Sequence, residues 1–290
     1  MVALAVAGFL FGSTFLVVQD AIEGADVLPF LAVRFLIGGA VLWPLARRRP
    51  TSVGEVRHGA LAGAVLLVGY VLQTVGLRTV TSATSAFITY LLVVLVPVIG
   101  VVRSRHRPAG NVLLGVGLAV VGLYLLSGGS SGFGRGELLT VGAALCFAVH
   151  IVVLGEVASR HDPIRFTMWQ VLTVGAACLV PGALSGGGYG FGGGAWLAAA
   201  FCGVFATAAA FWCMTYGQRV VPEAQAAIIL LLEPVSAGLL GVATGEDLGA
   251  KGFVGAGLIL VAVLVAELGG SRVPAVGGEL GVAGEPEPAP

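Results

Sequence analysis

The sequence predicts an all-α integral membrane protein with ten transmembrane helices arranged as two inverted five-helix repeats. Three observations lead there: a composition too apolar for a water-soluble globule, ten apolar runs of membrane-spanning length, and two halves that match while their loop charges run out of phase. Of 290 residues, 57% are hydrophobic and 10% charged, with a mean hydropathy of +1.00. A soluble domain carries about a quarter charged residues, so this chain has too little polar surface to cover a globule in water. Its formal net charge is zero, which leaves no electrostatic footprint for nucleic acid.

A crossing helix needs about 20 mainly apolar residues to span a ~30 Å hydrocarbon core. Runs of this kind occupy residues 2–19, 28–46, 59–77, 83–102, 110–127, 137–156, 164–183, 195–216, 223–243 and 252–268. Hydrocarbon satisfies no backbone N–H or C=O, so such runs must close on their own hydrogen bonds as helices. A membrane β-barrel would show ~10-residue stretches of alternating polarity instead. The opening run has neither the basic start nor the small-residue cleavage site of a signal peptide, and reads as the first span. Residues 270–290, rich in Gly, Pro and Glu, cannot bury enough apolar surface to offset the entropy of ordering and are expected to be a disordered tail.

Ten spans put both termini on one side. With that side cytoplasmic, the inner loops and tail carry Arg47, Arg48, Arg49, Arg57, Arg103, Arg105, Arg107, Arg160, Arg165, Arg219 and Arg272, against Arg78, Arg135 and Lys251 outside. The excess of inner basic residues fixes the expected orientation, both termini cytoplasmic in the inner (plasma) membrane.

The halves, 1–128 and 129–269, resemble each other. Phe11-Gly12-Ser13-Thr14 matches Phe147-Ala148-Val149-His150 at an offset of 136, and the same offset pairs Arg34 with Gln170 and Gly39-Ala40 with Gly175-Ala176. Gly76-Leu77-Arg78 parallels Gly217-Gln218-Arg219, and Pro97-Val98 parallels Pro234-Val235. The latter two offsets are 141 and 137, which reads as a small insertion in the first half between its third and fourth spans. An odd number of spans per half forces the second copy to enter the membrane upside down. That is the architecture of carriers whose site lies near mid-membrane between the halves.

Gly12-Ser13-Thr14-Phe15, the run Pro29 to Phe35, Leu72-Gln73-Thr74-Val75-Gly76-Leu77, Ser85-Ala86-Phe87-Ile88, Glu233-Pro234-Val235 and Gly245-Glu246 together resemble the EamA family of the drug/metabolite transporter superfamily. The resemblance runs to about residue 268 and implies a five-plus-five inverted-repeat carrier of small metabolites working by alternating access. Phe11 stands where that family usually has another aromatic, often Trp. The first and sixth spans lack the membrane-embedded acid on which small four-helix relatives rely.

Polar residues deep in the spans are the candidate substrate contacts: Thr14, Arg34, Tyr70, Gln73, Tyr90, His150, Gln170, Trp212 and Glu233, with Thr84 and Tyr216 beside them. A charge at mid-membrane is costly and should face the bundle interior with a partner. Glu233 is therefore either a protonatable or substrate-pairing carboxylate, or, with Pro234, the satisfier of backbone donors at a helix break. Arg34 is either an interhelical hydrogen-bond anchor or an anion-recognising side chain. His150 either satisfies a neighbouring helix or contacts substrate opposite Thr14. Trp43 and Trp196 near span ends fit an interfacial belt. Gly8/Gly12 and Gly59/Gly63 have the small-xxx-small spacing of close helix packing, within the bundle or in a homodimer.

No HExxH or Walker motif occurs, and the four cysteines form no CxxC pair, so no cofactor or metal is expected. The expected partners are a small-molecule substrate and the lipid bilayer. The rival expectation is an intramembrane enzyme for lipid-linked substrates, centred on Asp20, Glu23 and Asp26.

Overall fold

In the computed structural model residues 1–48, 50–104, 110–126 and 134–268 are described. Arg49, Arg105, Arg107, Arg272 and the expected tail lie outside them. Among the described residues all regular structure is helical: α1 (Val2–Ser13), α2 (Phe15–Glu23), α3 (Val27–Ala46), α4 (Val53–Gly76), α5 (Ser82–Thr89), α6 (Leu92–Ser104) and α7 (Gly110–Leu126). The order continues with α8 (Arg135–Val157), α9 (Pro163–Ala183), α10 (Gly193–Cys202), α11 (Ala210–Gln218), α12 (Glu223–Ile229), α13 (Leu232–Ala243) and α14 (Gly249–Leu268). A π-helical turn, Gly203–Ala209, joins α10 to α11.

Eight stretches are long and apolar enough to cross a membrane. They correspond to the first four expected spans and to the sixth through ninth, with α1–α2, α5–α6, α10–α11 and α12–α13 each forming one interrupted stretch. At the fifth and tenth expected spans stand the shorter apolar helices Leu113–Leu126 and Gly249–Val265, so length and composition secure eight crossings rather than ten. Leu61, Val68, Leu114, Val121, Leu197 and Val254 are among the large apolar side chains turned outward. In water such a belt would be an aggregation surface; in lipid it is the face of a membrane protein.

Helix packing comes in pairs. α4 packs on α8, and α11 on α1; α13 packs on α1, and α6 on α8; α3 faces α9, α5 faces α13 and α7 faces α14. Glycines let these backbones touch. A Cβ on Gly12 would lie 2.0 Å from Ser236 Oγ and 2.1 Å from the Glu233 carbonyl oxygen. One on Gly63 would lie 2.5 Å from the Gln170 carbonyl, and one on Gly59 2.6 Å from Trp169 Cβ. Both small-residue faces are thus filled within the chain, and a homodimer would have to use another face.

The interruptions are local and hydrogen-bonded. Pro234 has no N–H to give the Leu230 carbonyl, which accepts from the Glu233 N–H at 2.8 Å instead. Leu231 N bonds the Ile228 carbonyl, and the Ala227 carbonyl thereby released takes the Tyr90 hydroxyl at 2.6 Å. The matching break at Tyr90–Leu91 lies seven residues before Pro97, whereas that at Leu230–Leu231 lies four to three before Pro234. The breaks therefore correspond at an offset of 140 (230 − 90), close to the 141 of the Gly76/Gly217 match. The 137 of the proline pairing is not the structural register, and no insertion before the fourth span is needed. Span one also bends, at Thr14, where the Ser13 and Thr14 hydroxyls bond back to the Leu10 and Phe11 carbonyls at 3.0 and 2.9 Å.

Gly12→Ala should cost roughly 1–3 kcal/mol or more by overpacking against the Glu233 carbonyl. Gly257→Ala, whose Cβ meets nothing within 4 Å, should be neutral. Thermal unfolding in detergent would compare them, and equal midpoints would contradict the contact.

Candidate functional site

The breaks converge on one cavity of about 70 Å³. Phe11, Thr14, Phe15 and Val18 come from the bent first span, and Tyr70, Gln73, Thr74 and Leu77 from α4. Thr89, Tyr90 and Leu92 flank one break, and Leu230 and Glu233 the other. Arg34, Leu66, Phe147, His150, Ile151, Phe211 and Met214 complete the wall.

Its lining is an aromatic cage with few polar groups. Tyr70 stands edge-on to Phe35 at 4.8 Å and to Phe147 at 5.3 Å, and Phe11 edge-on to Phe211 at 5.0 Å. The Arg34 guanidinium carbon lies 5.0 Å from the Tyr70 ring centroid, within cation–π range. Its Nε donates to Thr207 Oγ1 at 3.0 Å. His150 Nε2 and Gln170 Oε1 are 2.7 Å apart, and Gln73 Nε2 donates to Thr89 Oγ1 at 2.9 Å. Among the described residues the Glu233 carboxylate makes no hydrogen bond and no ion pair, so the expected partner, whether a side chain or the freed backbone donors, is not there.

Seven of the nine residues singled out in sequence, Thr14, Arg34, Tyr70, Gln73, Tyr90, His150 and Glu233, come together in this wall. Gln170 stands behind it, holding His150. Trp212 lies on the outer face, 37% exposed, beside the exposed Tyr216. Thr84 is spent near the end of the bundle, accepting from the Thr81 hydroxyl at 3.0 Å. Arg34 is bonded to Thr207 as an interhelical anchor and also lines the cavity. Phe211, Met214, Thr89 and Leu230 were missed. Phe11 and Phe147, matched at the 136-residue offset, both face the cavity, as do Thr14 and His150.

The sequence profile of the EamA-like transporter family matches residues 1–128 and again 134–268. The chain belongs to that family. An uncharacterised transporter of Archaeoglobus fulgidus is 31% identical over 266 residues, 91% of this chain and 84% of its own. A second from the same organism is 29% identical over 91% of this chain and 94% of its own. One from Bacillus subtilis is 28% identical over 90% of each. A crystal structure 21% identical superposes with a TM-score of 0.69 over 96% of this chain and 99% of its own, a likeness of fold alone. This EamA-like protein is a multi-pass membrane transporter.

Polar contacts join helix ends and loops at both ends of the bundle. At the end carrying Arg47, Arg48, Arg57 and Arg160, the Glu55 carboxylate, 1% exposed, accepts from Arg165 Nε at 2.7 Å and Nη2 at 3.3 Å. It also accepts from Asp162 N at 3.0 Å. Beside it, His58 Nδ1 and His161 Nε2 lie 2.8 Å apart, and His161 stacks on Phe166. Arg103 and Glu156 pair at the same end. At the opposite end Asp26 accepts from Gly187 N at 2.9 Å, and Arg78 lies 3.7 Å from Asp26. Glu246 accepts from Ser82 N and Ala83 N at 3.1 and 3.0 Å and from the Ser82 hydroxyl, a carboxylate on the N-terminus of α5. Bonding to Gly187 and Ser185, with Arg78 adding to it, holds the Asp26 carboxyl below its ordinary range.

Burial, and then the neighbouring His58, pushes the His161 imidazole below its usual value of 6.5. A depressed histidine contributes stability that is present above that value and lost as pH falls below it. Thermal stability should therefore drop as pH falls below about 6.5, and His161→Gln should flatten that slope; an unchanged slope would contradict the assignment. Arg165→Gln leaves the Glu55 carboxylate buried without its cation, held by the Asp162 N–H, and should cost up to about 3–5 kcal/mol. Glu55→Gln/Arg165→Gln should recover part of that loss in the same unfolding assay.

Proposed function

We propose that this protein is a secondary carrier for a small, amino-acid-like or amphipathic metabolite, working by alternating access between two inverted five-helix halves in the plasma membrane. The observation that carries the reading is the pairing of Arg34 and Glu233 in one aromatic-lined cavity with no ion pair between them. A guanidinium and a carboxyl group set apart over apolar walls suit a substrate that carries both charges and an apolar body. Such charges inside a membrane domain mark a substrate path.

Support for two inverted halves comes from the packing. With each half counted as five helical spans, the α4–α8 contact becomes α11–α1 on exchange of the halves, and α1–α13 becomes α8–α6. The α3–α9 and α7–α14 contacts map onto themselves, and α5–α13 becomes α12–α6. The shorter α7 and α14 complete the ten in this reading. Leu4 packs against the Gly217 backbone near Arg219, which supports an N-terminus at the basic end, and the positive-inside rule supports a cytoplasmic side for that end.

Sites that enclose a small molecule measure about 300–1,000 Å³. The ~70 Å³ here is, in this reading, a contracted state, opened by parting one set of end contacts at a time. The enzyme alternative gains nothing from the acidic loop. Asp26 is committed to Gly187, and among the described residues no three of His, Cys, Asp and Glu stand close enough to share a metal.

Uptake of labelled amino acids and related metabolites into proteoliposomes is expected to be saturable for at least one class. Arg34→Gln and Glu233→Gln should each weaken it about tenfold or more, the worth of one charge-assisted hydrogen bond. No saturable flux for any class, or flux indifferent to both substitutions, would overturn the reading.

A further inference from the structure

Arg34 reaches the cavity wall from α3, but its direction is set from outside that wall. The acceptor of its Nε–H is Thr207 Oγ1, and Thr207, fully buried, does not line the cavity. Thr207 lies inside the π-helical turn Gly203–Ala209. A π turn closes its hydrogen bonds one residue further along than an α turn, and it recurs at functional sites. Because it holds an extra residue, it resets the angular position of every side chain after its start. Thr207 faces Arg34 through that reset.

Two glycines hold the turn against α3. A Cβ on Gly203 would lie 2.7 Å from the Arg34 carbonyl oxygen, and one on Gly38 2.6 Å from Thr207 Cγ2. Arg34 Nε and Thr207 Oγ1 thus meet where the two backbones come closest. A guanidinium carries five N–H donors in a rigid planar fork. With Nε bonded to Thr207 and the plane held near the Tyr70 ring, the remaining donors on the two terminal nitrogens have the geometry that grips a planar oxyanion bidentately. Among the described residues Arg34 is the one guanidinium in the cavity lining, beside the Glu233 carboxyl, and a single fork matches a single planar carboxylate.

We infer that Thr207 is the positioning residue that aims Arg34 at the carboxylate of the transported molecule, so that the π turn sets preference for acids over their decarboxylated amines. This rests on the reading of Arg34 as a substrate contact.

The test is uptake into proteoliposomes of L-phenylalanine against phenethylamine and L-leucine against isoamylamine, by wild type, Thr207→Val, Thr207→Ser and Arg34→Lys. Thr207→Val keeps the shape and removes the acceptor. It should raise KM for the acids about tenfold, the effect of one buried hydrogen bond to a charged group, with maximal rate and amine KM unchanged. Thr207→Ser should restore the acid KM. Lysine has no Nε–H fork, so adding Thr207→Val to Arg34→Lys should change KM little further. A fall in maximal rate for acids and amines alike, with KM unmoved, would make the hydroxyl structural and overturn the inference. So would Arg34-dependent acid uptake that Thr207→Val leaves intact, or saturable uptake of amines alone; in all three cases the carrier reading stands. Absence of saturable uptake of every probe by wild type would remove the carrier reading for this substrate class and the inference with it. Should Thr207→Val fail to fold, Thr207→Ser against Thr207→Ala repeats the comparison.

Discussion

Hydrocarbon offers no partner to a backbone N–H or C=O, and the architecture of this protein follows from that constraint. A helix can be interrupted in a membrane only where protein or enclosed water takes over the released groups. Here the first span bends at Thr14, α5 breaks from α6 at Tyr90–Leu91, the π turn joins α10 to α11, and α12 breaks from α13 at Leu230–Leu231. Three of these four bring residues into the wall of one cavity, and the π turn reaches it through Arg34. At the Leu230–Leu231 break the released groups are accounted for: a tightened turn takes the Leu230 carbonyl, and the Tyr90 hydroxyl takes that of Ala227.

Close packing and this irregularity depend on each other. Gly12 allows the bent first span to press against the Glu233 carbonyl, and Gly38 and Gly203 allow α3 to press against the π turn. Without those glycines neither Glu233 nor Arg34 could sit where it does. The glycines thus act in the same places as the charged side chains, by admitting the backbone that carries them. Both ends of the bundle are then tied by carboxylates, Glu55 at one and Asp26 with Glu246 at the other. These contacts join two helix starts, two loops, or a loop to a helix start, each across the two halves of the chain.

Much of the fold was legible in the sequence because helix length and hydropathy are set by bilayer thickness. The span from 163 to 183 begins one residue before its expected start and ends where expected. Which face of each helix looks inward was far less legible, because lipid and core are both apolar and the usual contrast between faces disappears. Glu233, Arg34 and His150 could be assigned inward since charge and imidazole avoid lipid at that depth. Phe211 and Met214 could not be told from lipid-facing neighbours. Trp212 illustrates the remaining difficulty: it follows the π turn, whose extra residue shifts the helical phase, and it ends on the outer face. Pro97 and Pro234 look equivalent in sequence, yet the breaks follow a register three residues different. The Arg34–Thr207 bond spans 173 residues, and no local pattern announces it.

The central claim is that the broken spans enclose a water-reachable substrate chamber. The most direct measurement is thiol reactivity with a small hydrophilic reagent in proteoliposomes. Single cysteines at Thr89 and Leu230 would be compared with lipid-facing controls at Leu197 and Val261, in a protein whose four native cysteines are replaced. A substrate chamber predicts labelling at Thr89 and Leu230 that bound substrate suppresses, with Leu197 and Val261 inert. Inert cysteines at both break positions, in every condition and from both sides, would contradict it.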